Sequence, residues 1–111
     1  MTHIDDAQWQ EMQDLLEDDF TTLISQFILD AKQKVQQIRT AHTQGDNTTG
    51  LQVAHSLKGA SVNLGAQTLS QHCHTMQEIC YAGMIADAHN VLSDIEQALN
   101  SVIQEIHQRL A

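Results

Sequence analysis

His55 lies in the run Ala54-His55-Ser56-Leu57-Lys58-Gly59-Ala60, which, wound as a helix, sets one imidazole beside a lysine and a glycine. With His55 at zero on a 100° helical wheel, Leu51, Lys58, Gly59 and Val62 fall within about 60° of it, while Val53, Leu57, Ala60 and Leu64 gather near the far side. The histidine is therefore expected to point away from the core. At neutral pH an exposed imidazole, with an ordinary pKa of about 6.5, is largely uncharged and keeps a lone pair on one ring nitrogen that can attack phosphorus. Gly59, one turn further along the same face, occupies a mid-helix position where glycine costs about 1 kcal/mol relative to alanine. Without a Cβ it leaves room for a phosphoryl group and for the backbone of a docking partner. Lys58, at i+3, can swing its ammonium toward phosphoryl oxygens as a mobile point charge.

What is absent narrows the chemistry. The i±3 and i±4 neighbours of His55 are Leu51, Gln52, Lys58 and Gly59, with no carboxylate or second histidine to activate water. The chain also lacks a Walker-type loop and a nucleotide-binding glycine pattern. The expectation is a carrier that receives a phosphoryl group and holds it, not an enzyme with its own ATP site. Charge points the same way. Seven of the fourteen acids, Asp5, Asp6, Glu11, Asp14, Glu17, Asp18 and Asp19, crowd the start, and none occurs between Asn47 and Gln77. The stretch around His55 thus tolerates an incoming anion. A formal net charge of -9 argues against nucleic acid or anionic lipid as partner.

The elements that must position His55 read as helices throughout. There is no proline and no alternating strand pattern. A short first helix carries Trp9, Met12, Leu15 and Leu16, with Trp9 packing it onto the rest, and ends at Glu17-Asp18-Asp19, placed to cap the next helix. A second helix is predicted from about Phe20 to Thr43 on the stripe Phe20, Leu23, Ile24, Phe27, Ile28, Ala31, Val35 and Ile38. Gln44-Gly45-Asp46-Asn47 is a turn with an N-cap built in. The third helix carries His55 and stops at Leu64-Gly65. A fourth spans about Ala66 to Ala82 on Leu69, Cys73, Met76 and Cys80, and a long fifth runs on Ile85, Ala88, Leu92, Ile95, Leu99, Val102, Ile106 and Leu110. The expected fold is all-α: an antiparallel up-down four-helix bundle with an additional short N-terminal helix as a lid. With 111 residues and 41% hydrophobic content, residues 1–111 are expected to form one domain. No apolar run approaches the roughly 20 residues that span a bilayer. The acidic start and two cysteines fit a cytosolic chain with reduced thiols, read as a free-standing protein.

The run Ala54-His55-Ser56-Leu57-Lys58-Gly59-Ala60-Ser61-Val62-Asn63-Leu64-Gly65-Ala66 resembles the signature of histidine-containing phosphotransfer (HPt) domains, and the likeness extends to Leu69, Cys73 and Met76. The resemblance implies that His55, through Nε2, takes a phosphoryl group from the aspartate of one response-regulator receiver domain and passes it to another. By position it makes Lys58 the residue that helps hold the phosphoryl group and Gly59 the small residue beside it. Gln77, 22 residues after His55, matches a glutamine that some members hydrogen-bond near the imidazole. It implies a monomer whose partners are receiver domains and a hybrid sensor histidine kinase, with Mg²⁺ supplied by the receiver and no cofactor bound by this chain. Leu51 and Val62, with Gln52 and Ser56 at the rim, are the candidate docking surface.

Two rival readings accompany this one. A helical adaptor bundle would share the fold without phosphotransfer. A metal site would draw on His72, Cys73, His74, Cys80, His89 and His107, yet adjacent helical residues point about 100° apart, so His72-Cys73-His74 cannot converge on one ion.

Overall fold

A computed structural model describes residues 3–111, which are all-helical. The helices are α1 (Asp6–Leu16), α2 (Phe20–Gln44), α3 (Asn47–Leu64), α4 (Gln67–Tyr81) and α5 (His89–Leu110). Several boundaries have a local cause. Asp5 caps α1 by accepting the Gln8 N–H at 2.8 Å, and Asp46 caps α3 by accepting the Thr49 N–H at 3.0 Å. Hydrogen bonds from Thr49 hold the Asp46 carboxyl below the usual carboxylate range. Gly45 and Gly65, at φ +67° and +85°, close α2 and α3 in the left-handed region.

Two expectations about boundaries are corrected. Glu17–Asp19 forms a single 3₁₀ turn, and Asp19 enters α2 in helical geometry without a side-chain cap. Ile85 and Ala88 do not belong to the fifth helix: Ile85–Asp87 is a separate 3₁₀ turn, and α5 begins at His89. Both residues are nevertheless buried. Asn47 holds the turn in place, its Oδ1 accepting the Ile85 N–H at 2.9 Å.

The long helices pack in cyclic order, α2 on α3, α3 on α4, α4 on α5 and α5 on α2, with the α3/α4 contact the most extensive. A 25-residue α2 is about 38 Å long, and it accounts for most of the 42 Å long axis. The core runs down the seams on Ile24, Ile38, Leu57, Leu69, Met76, Ile95, Val102 and Ile106. Three expected stripe members lie outside it, Leu15 at 81%, Leu23 at 42% and Leu110 at 43% exposure.

The buried face of α3 is Gly50, Ala54, Leu57, Ser61 and Leu64, while Val53 and Ala60 are only half-buried. Three of these five are small, so α4 comes close. A Cβ on Gly50 would lie 2.4 Å from Ile85 Cδ1 and 2.8 Å from Cys80 Sγ. Both neighbours are buried and have little room to yield. Gly50→Val is therefore expected to lower stability by about 2 kcal/mol through overpacking, read as a lower urea midpoint at unchanged slope. A wild-type midpoint would show that the α3/α4 seam is looser than this packing.

The N-terminal segment is tied across the molecule. Glu105 accepts the backbone N–H groups of His3 and Ile4 at 2.6 and 3.0 Å, and Arg109 donates to the Ile4 carbonyl and pairs with Asp6. Trp9 is buried as expected, edge-on to Phe20 at 4.9 Å and beneath Arg109 at 5.3 Å. Gln8 Nε2 donates to the carbonyls of Val62 and Asn63 at 2.6 and 2.9 Å, so α1 satisfies the last turn of α3.

Candidate functional site

His55 stands exposed at the middle of α3, held there because Ala54 and Leu57 on either side are fully buried. Its Nδ1 lies 3.4 Å from Gln77 Oε1 on α4. An amide oxygen only accepts, so this contact favours the tautomer with the proton on Nδ1, leaving the lone pair on Nε2. The contact is long and orients the ring weakly. It spans the close α3/α4 seam, where Gly50 lies against Cys80 of the Gln77 helix. Ser61 is buried with its hydroxyl satisfied, donating to the Leu57 carbonyl at 2.7 Å.

Gly59 is exposed, and a Cβ built on it would meet nothing within 4 Å. Helix packing thus gives no reason for glycine at this position. Lys58 is half-buried on the His55 side, and Gln52, Ser56 and Val62 are exposed around it, Val62 at 52%. Leu51 differs: it is half-buried and packs against the core, so it offers a partner only part of its side chain. The sequence reading missed Gly50 and Ser61 as members of the buried face of α3. Their only signal is position, since 50 and 61 complete the stripe 50, 54, 57, 61 and 64 of spacing 4, 3, 4 and 3, and hydrophobicity does not register a glycine or a serine there.

The rival metal ligands diverge. Cys73 is fully buried, His72 half-buried and His74 exposed. Among the described residues no three His, Cys, Asp or Glu side chains gather as a metal site. Burial pushes the Cys73 thiol up to about 12 and the Cys80 thiol in the same direction, so both sulfurs stay protonated and act as small hydrophobes. No helix among the described residues is long and apolar enough to cross a membrane.

Comparison with known proteins adds three findings. The family model described as Hpt domain matches residues 22–110. The crystal structure of histidine-containing phosphotransfer protein B (HptB) from Pseudomonas aeruginosa PAO1 superposes with a TM-score of 0.92 at 28% identity, covering 96% of this chain and 93% of that one. Comparison with curated proteins returns no match.

Proposed function

The chain belongs to the Hpt domain family, and from that premise we propose that His55 is its covalent phosphoryl carrier. The protein is a histidine phosphotransfer protein of the phosphorelay type. The observation that carries the assignment is an exposed imidazole, in contact with Gln77 through Nδ1, beside a helical glycine that packs against nothing.

In the proposed step the Nε2 lone pair attacks the phosphorus of a receiver domain's aspartyl phosphate. The N–P bond forms as the P–O bond to the aspartate breaks, and the carboxylate leaves with the electron pair. The Nδ1 proton remains facing Gln77 Oε1. Transfer to a second receiver is the same displacement run backwards, so positioning and charge neutralisation carry most of the catalysis. Lys58 is assigned to the phosphoryl oxygens. Residues 48–76 hold no carboxylate, and Mg²⁺ is assigned to the receiver's acidic pocket. The finer architecture belongs to the same proposal: one domain over 1–111, an antiparallel up-down bundle of α2 to α5, with α1 added across one end. So do a monomeric state, a hybrid sensor kinase upstream, and a cytosolic location, which fits two free thiols.

Incubating the chain with a phosphorylated receiver and recovering acid-labile, base-stable label in it checks the reading. Absence of label with every receiver tried, in the presence of Mg²⁺, would leave the adaptor bundle in its place.

A further inference from the structure

His55 has a second histidine for a neighbour, and it comes from α4. That helix runs back along α3, since Gly50 abuts Cys80 while His55 meets Gln77. Lys58 follows His55 by three residues on α3 and His74 precedes Gln77 by three on α4, so both stand about one turn from the contact between His55 and Gln77, toward the α3/α4 connection. On a 100° wheel His74 lies about 60° beyond Gln77, away from the buried stripe Leu69, Cys73, Met76 and Cys80, and His72 falls on the opposite flank. His74 is accordingly exposed and His72 half-buried.

Charge gives His74 a task. From Asn47 to Tyr81 the one carboxylate is Glu78, and His74 Nε2 lies 3.8 Å from its Oε1. That distance is beyond hydrogen-bonding range, so the ring is not fixed by Glu78, and it attracts the carboxylate only when protonated. Glu78 follows Gln77 directly, near enough to oppose the negative charge that a phosphoryl group brings to His55 Nε2. The other charged groups facing His74 are few. Lys58 on α3 forms no ion pair among the described residues, and Asp87 of the 3₁₀ turn shares a hollow with Glu78. Because α3 takes the Gln77 flank of α4, α5 takes the His72 flank, and its acids stay across the helix from His74.

We infer that His74 is a second charge-bearing residue of the phosphoryl site: it takes up a proton from solvent as His55 is phosphorylated and, so charged, offsets the phosphoryl group that Glu78 opposes. The inference rests on the carrier reading and deepens it. Linkage fixes the sign of the effect. A proton held more tightly by the phosphorylated chain favours that chain wherever the proton is bound, so the advantage is present at low pH and is lost as pH rises through the His74 titration. The carrier would then hold its phosphoryl group less firmly against the receiver in alkaline conditions.

Proton NMR tests it, following the ring resonance of His74, identified by its loss in His74→Gln, through a pH titration before and after labelling of the chain with phosphoramidate. At low salt the midpoint is expected to rise by about half a unit on phosphorylation, the effect of two negative charges roughly 10 Å away through a water-like dielectric. A second measurement takes the equilibrium constant for transfer from a receiver's aspartyl phosphate to His55, in the wild-type chain and in His74→Gln. Relative to the variant, the wild-type constant should be about threefold more favourable at about pH 6 than at about pH 8.5, where histidine is neutral. His55 titrates in both chains, so the comparison isolates His74. A labelled chain whose His74 midpoint does not move overturns the inference alone, as does the same pH dependence in wild type and His74→Gln. A chain that neither phosphoramidate nor any receiver labels defeats the carrier reading itself, and the inference with it.

Discussion

His55→Gln is expected to abolish acid-labile, base-stable labelling altogether while leaving the helical circular dichroism and the thermal midpoint unchanged. The imidazole is exposed, and its contact with Gln77, at 3.4 Å, is too long to contribute much stability. Glutamine is a helix former of similar reach that keeps a polar surface, but it offers no ring nitrogen to hold phosphorus. None of the other histidines combines such surroundings: His42 is half-buried beside His89 at a ring separation of 6.3 Å, and His74 lies 3.8 Å from Glu78. Label that persists in His55→Gln would remove His55 from the mechanism. Lys58→Ala gives the scale for a helper residue in the same assay. An ammonium on a flexible stem near solvent is worth up to about 1 kcal/mol, so transfer should slow by about fivefold without ceasing. Abolition by Lys58→Ala would mean that the lysine does more than neutralise charge.

The arrangement around His55, the candidate site, was legible in the sequence because its markers are local. One histidine, one lysine and one glycine on a single helical face, in a stretch free of carboxylates, are set by spacing alone. Gly45 and Gly65 were legible for the same reason, since a glycine after a periodic run closes a helix whatever lies beyond it. Ile85 and Ala88 misled because their spacing to Leu92 and Ile95 follows the 3-and-4 rhythm of α5, and periodicity cannot see a 3₁₀ turn that keeps the phase. Leu23 and Leu15 misled in another way. They carry the right hydrophobicity for the core, but only the placement of α1 against α2 and α3 reveals that they edge an open groove. The two glycines of α3 look alike in sequence and differ entirely in structure: Gly50, in the first turn, faces Ile85 and Cys80, and Gly59 faces solvent.

That difference makes Gly59 the sharpest probe of access. Because a Cβ there meets nothing within 4 Å, Gly59→Ala should raise stability by about 1 kcal/mol, through helix propensity and a less flexible unfolded chain. For a chain of this size that is a rise of about 4 °C in Tm. The fold thus forgoes stability at this position, and no internal contact returns it. Gly59→Trp should also leave the helices intact, since tryptophan is a better helix former than glycine and the space around it is open. It sets an indole one turn from His55, where an aspartyl phosphate must come within bonding distance of Nε2. Holding the two reacting groups apart by even an ångström costs on the order of a hundredfold in rate, so transfer from a receiver should fall by about that factor while Tm does not drop. The stability and transfer data together separate three roles for Gly59. Equal losses in both would mean hidden packing, and a normal transfer rate in Gly59→Trp would mean that open space beside His55 serves no purpose. Only unimpaired folding with slowed transfer identifies this glycine as clearance for a docking protein.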